Sequence, residues 1–104
     1  MNRVFIFNER LGLNLPQLDA NWEDYSDEEQ ASIVEQWEII RGRIPDLVIR
    51  FEHQINVLQI QMNEEDDFDK TCTLNSNIAD LASRINDLHI WYRINQELEG
   101  KRHS

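Results

Sequence analysis

The chain has 104 residues, 40% of them hydrophobic and 29% charged, with three tryptophans, so it is sized for one core and too apolar for a disordered acidic chain. Its formal net charge of −10 and pI near 4.6 oppose the Lys/Arg footprint that phosphate backbones require, which excludes direct nucleic-acid binding and disfavours anionic membrane surfaces. Only three glycines and two prolines are present, which argues against a turn-rich β-sandwich and leaves room for long helices.

Residues 1–25 read as an extended N-terminal segment. Val4 to Phe7 are β-branched or aromatic, and Leu11, Leu13 and Leu15 recur every second residue before Pro16. The pattern predicts an extended or two-stranded stretch, turning at Asn8 to Arg10, that lies over a helical core, because an isolated hairpin is marginal in water. Val4 to Phe7 is also the longest uninterrupted apolar run. It is far below the ~20 residues that cross a bilayer and too short for a secretory signal core.

Ser26, followed by Asp27, Glu28 and Glu29, has the capping-box pattern: a serine hydroxyl and a carboxylate three residues on each satisfy a free backbone N–H. A helix over 26–42 follows. From Ile33 the apolar positions Trp37, Ile40, Ile44, Leu47, Phe51, Ile55, Leu58 and Met62 keep helical phase. Gly42 and Pro45 interrupt the pattern in the order that ends one helix and starts another, giving a second helix over 45–66; a single kinked helix from 27 to about 65 is the alternative. An acidic stretch then forms a turn, and a last helix over 74–99 begins between Thr73 and Ser76.

In that last helix Leu74, Ile78, Leu81, Ile85, Leu88 and Tyr92 alternate steps of four and three, a seam narrow enough for one partner helix. The expected fold is therefore all-α, a helical hairpin or three-helix bundle forming one domain over 1–104. At about 100° per residue, Ile90, Trp91, Ile94 and Leu98 fall on a second sector away from the seam. They form a candidate interaction surface for the first helix, the Val4–Phe7 segment or another chain. Trp22, which precedes the first helix among acids, joins them as a partly exposed anchor.

No catalytic set emerges. The chain has no glycine-rich nucleophile elbow or phosphate loop, and His53, His89 and His103 pair with no obvious nucleophile. Asp67 and Asp69 in EF-hand register put Cys72 where glycine is required and Ile78 where the bidentate glutamate belongs, so neither metal nor cofactor is expected. Cys72, near Lys70 and a helix start, has no second cysteine, which suits a reducing cytoplasm. Asp46 with Arg50 and Asp80 with Arg84 have the acid-first spacing of helical ion pairs.

Between Asp19 and Glu38 lie eight acids and no Lys or Arg. Glu23, Asp24, Asp27, Glu28, Glu35 and Glu38 form a candidate acidic surface, either simply solvated or directed at a basic partner. The expectation is a small cytoplasmic non-enzymatic module that works through protein–protein contact, as a regulator or adaptor, and forms a homodimer. An acidic antagonist that mimics nucleic acid toward a basic protein is the alternative, and a metal-dependent or enzymatic helical bundle the third.

Overall fold

The computed structural model describes residues 4–103, with side chains through residue 94. Two strands, β1 (Phe5–Asn8) and β2 (Leu13–Pro16), precede a 3₁₀ turn at Trp22–Asp24 and the helices α1 (Asp27–Arg41), α2 (Ile44–Glu64) and α3 (Phe68–His103). The molecule is an elongated helical hairpin, 59 × 24 × 19 Å, with the strand pair laid across one end.

The strands are antiparallel, with Ile6 opposite Leu15 and Phe7 opposite Asn14. The turn between them spans Glu9 to Gly12, starting one residue and ending two residues later than the expected Asn8–Arg10 turn. Asn8 sets it: its side-chain Oδ1 accepts from the Leu11 N–H at 2.9 Å, and its carbonyl accepts from Gly12 N–H at 2.8 Å. Closing that loop requires a positive φ, and Gly12 supplies it at 80°. Leu11 thus belongs to the turn rather than a strand, yet it is buried with Leu13 in the core.

The Ser26 capping box forms as its pattern predicts, the hydroxyl accepting from Glu29 N–H and the Glu29 carboxylate accepting from Ser26 N–H. At the other end of α1 the expected interruption is slight. Pro45 has no N–H to offer the Arg41 carbonyl, and Arg43 N–H instead reaches Ile40 oxygen at 3.0 Å, one residue tighter than an α-helix. Gly42 (φ −62°, ψ −17°) and Arg43 (φ −86°, ψ −13°) nevertheless keep right-handed helical dihedrals. A link that stays helical cannot reverse the chain, so α1 does not fold back beside α2. The three-helix bundle is therefore replaced by two helical arms: α1 and α2 in series form one, and α3 forms the other.

The arms are joined by Glu65 to Asp67 alone, a three-residue connection of the kind that closes helical hairpins. Asp67 caps α3, accepting from Asp69 N–H at 3.1 Å through Oδ1, while its carbonyl accepts from Thr71 N–H at 3.0 Å. This cap starts α3 at Phe68, ahead of the Thr73–Ser76 start expected from the apolar seam. Acids close to a helix N-terminus also favour it through the helix dipole, so the acid run that reads as a solvated tip also initiates a helix.

The seams meet as their spacing implies. Leu81 and Leu88 of α3 are buried with Ile44, Leu47 and Phe51 of α2 and Trp37 of α1, and Leu11 and Leu13 close the cluster from the strand side. Leu88 has no exposed surface at all. Full burial of a leucine is worth about 1.5–3 kcal/mol over leaving it in water, which makes this the most stabilising section of the rod.

Candidate interaction surface

The second apolar sector of α3 is divided between internal packing and solvent. Trp91 is half-buried, and its ring meets that of Trp37 edge-on, with centroids 6.0 Å apart and planes at 68°. Such a pair contributes roughly 0.5–1.5 kcal/mol beyond the area it buries. Trp91 also floors a shallow depression of about 220 Å³ walled by Ile6, Phe7, Leu15 and Pro16 of the strand pair. Ile94 is half-buried, Ile90 is exposed, and the side chain of Leu98 lies outside the described residues. Tyr92, the last member of the α3 seam, is displaced from it and lies exposed beneath Arg41, whose guanidinium carbon is 4.6 Å from the ring centroid. Where the partner changes from α2 to α1 and the strands, the contact passes from Tyr92 to Trp91.

Arg10, which the sequence does not single out, binds the strand turn to α3. Its guanidinium pairs with Asp87 and donates to Ser83 Oγ at 2.7 Å. Arg84 donates to the Arg10 carbonyl at 3.2 Å and pairs with Asp80 at 2.8 Å, the ion pair its spacing predicts. Asp46 and Arg50 make no such pair; the described ion pairs are those of Arg10, Arg84 and Arg41 with Glu38. No local signal marks Arg10, because its partners stand 77 and 73 residues away.

Trp22 is half-buried in the 3₁₀ turn, 6.2 Å from the Tyr25 ring, and its carbonyl accepts from Gln30 Nε2 at 2.8 Å. The Tyr25 hydroxyl donates to Asp19 Oδ1 at 2.5 Å, and this carboxylate acceptor pushes the phenol above its ordinary value of 10.0.

All six candidate acids are exposed, but they do not share one face. Glu23 and Asp24 sit in the 3₁₀ turn. Glu28 and Glu35 project along the outward line of α1, while Asp27 and Glu38 lie on its flank, with Glu38 3.8 Å from Arg41.

His53, His89 and Cys72 are exposed and apart, and His103 lies outside the residues with described side chains. Among the described residues no group of three or more His, Cys, Asp or Glu is gathered closely enough for a metal ion, and no helix is long and apolar enough to cross a membrane. A cleft of about 610 Å³ at the hairpin tip is open to solvent and lined by Gln61, Glu64, Asp69, Lys70 and Leu74 among others. Compared with known protein families, characterised proteins and solved structures, the chain matches none of them.

Proposed function

We propose that this chain is a non-enzymatic cytoplasmic interaction module, a regulator or adaptor that binds a protein partner and also self-associates. The observation that supports this reading is the apolar surface at the strand-covered end. There Ile6 and Phe7 remain exposed at the Trp91 depression, and Ile90, the residue before Trp91 in α3, is exposed as well. Among the described residues the sheet beside them has two strands, so each keeps one unpaired edge. Exposed aliphatic and aromatic side chains next to a free strand edge are the usual material of a protein contact, whereas a solvated end would carry charge there.

Ile90→Asp and Phe7→Asp test this surface better than Trp91→Asp, because Trp91 is also spent on Trp37 and its loss would disturb the fold itself. Both variants should retain the helical circular dichroism of the parent and lose a partner captured from the native host. If both variants still capture every partner that the parent does, this surface has no role in binding.

A second reading, an acidic antagonist of a basic nucleic-acid-binding protein, is supported by the exposure of the six carboxylates and weakened by their spread around α1. It predicts salt-sensitive capture of a basic partner, and capture indifferent to salt would remove it.

A further inference from the structure

The face of the α1–α2 arm turned away from α3 is as informative as the one that packs. Ile39, Ile49, Val57 and Ile60 are 69%, 64%, 40% and 59% exposed. Gly42 and Arg43 keep right-handed helical dihedrals, and the single 3₁₀-type step at Arg43 turns the arm by only about 20° more than an α-helical one, so these four fall on the outward side. Ile39, Asp46, His53 and Ile60 recur every seven residues, the repeat that keeps one line on a helix facing a partner helix, and Gly42 and Ile49 fill the adjacent line. From Ile39 to Ile60 this stripe runs about 32 Å and carries a single acid, Asp46, in a chain whose net charge is −10.

From this stripe we infer that its occupant is the same stripe of a second copy, laid antiparallel. Charge decides the orientation. Side by side in parallel, the two stripes would place Asp46 on Asp46, Glu35 on Glu35 and Glu64 on Glu64. Turned antiparallel with Ile39 across from Ile60 of the second copy, Asp46 meets His53 and Gly42 leaves room for Val57. A two-fold axis makes each of those contacts twice. Neither Asp46 nor His53 has an ion pair or side-chain hydrogen bond within the described residues, so both are available. The same alignment brings Glu35 near Glu64 only at the outer ends, where solvent and salt screen them and where they bound the seam. One helical stripe covers less than the ~800 Å² each partner buries in a standard interface, so the association is weak and reversible. It leaves the Trp91 end free for another protein. The inference rests on the reading that this chain acts through protein contact, and it specifies where self-association occurs.

Sedimentation velocity on the full chain tests it. The parent should shift from monomer to dimer as concentration rises through tens of micromolar, Ile60→Lys should abolish the shift with unchanged circular dichroism, and Ile90→Asp should leave it. Asp46→His should weaken the dimer, and Asp46→His with His53→Asp should restore it. In a Cys72→Ser background, mixing Ile39→Cys chains with Ile60→Cys chains under oxidation should give mainly the mixed disulfide dimer. Disulfides between two Ile39→Cys chains as the main product would overturn the antiparallel arrangement. A dimer lost in Ile90→Asp but not in Ile60→Lys would overturn this inference while leaving self-association standing. A parent that stays monomeric throughout would overturn the inference and the self-associating part of the proposed function, but not partner binding at the Trp91 end.

Discussion

The two ends of the hairpin share one pattern of side chains and differ in how well they bury it. From Ile55 to Ile78 the seam residues Ile55, Leu58, Met62, Leu74 and Ile78 are all only half-buried, although their spacing is as regular as elsewhere. Toward the other end Ile44, Leu47, Phe51, Leu81, Leu88 and Trp37 are closed off. The difference is the third element. Two helices touch along a line and leave both flanks of that line wet, while the strand pair adds Leu11 and Leu13 on a third side. Periodicity therefore fixes which residues point inward, and the number of surrounding elements fixes how dry they become.

The largest test of that contrast is truncation at the closed end. Trp37→Ala should cost about 3–5 kcal/mol and Leu88→Ala about 2–5 kcal/mol in urea unfolding. Leu74→Ala at the open end should cost nearer 1 kcal/mol, the ordinary value for a substitution. Equal losses at the two ends would mean that the strand pair contributes nothing. Next in size is the strand pair itself: Gly12→Ala forces a side chain into left-handed geometry and should cost roughly 1–2 kcal/mol, read from the same transition.

An effect of opposite sign is expected at the arm's interruption. Gly42 is helical, and a methyl added there meets only the Glu38 and Ile39 carbonyls at 3.5 Å, so Gly42→Ala should stabilise by ~0.5–1 kcal/mol. A lower urea midpoint for that variant would show that glycine is needed there for some other reason. Smallest is the pairing of Arg10 with Asp87. Both side chains are more than a third exposed, so solvent discounts the pair, and a double-mutant cycle with Arg10→Met and Asp87→Asn should give a coupling of about 0.2–1 kcal/mol that shrinks as salt rises.

Much of this architecture is legible in the letters because it is local. The Ser26 box, the Asp80–Arg84 pair, the two seams and a strand-like N-terminus all depend on residues within a few positions of each other. Features that depend on distant or easily masked signals are not. Leu11 reads as a strand residue until Gly12 is recognised as the positive-φ position that ends the turn. The cap at Asp67 is hidden by its acidic neighbours, so α3 reads as starting late. The three-helix expectation takes Gly42 and Pro45 as the end of one helix and the start of another packed in a bundle, whereas Gly42 and Arg43 keep helical dihedrals and leave α1 in series with α2. For the candidate surface, a helical wheel identifies Ile90, Trp91 and Ile94 as a second sector but cannot divide them. That division depends on where the strand turn settles, and Arg10 settles it from the far end of the sequence.

The helical winding that carries through Gly42 and Arg43 makes the length of the α1–α2 arm a strict quantity. One residue inserted beside Gly42 would rotate everything upstream by about 100°, swinging Trp37 off Trp91 and carrying the outward isoleucine of α1 out of line with those of α2. The two sides of the arm, inner and outer, are thus indexed to each other through the two residues, Gly42 and Arg43, that link α1 to α2. Any change in the spacing there would disturb both at once, even with every contacting side chain unchanged.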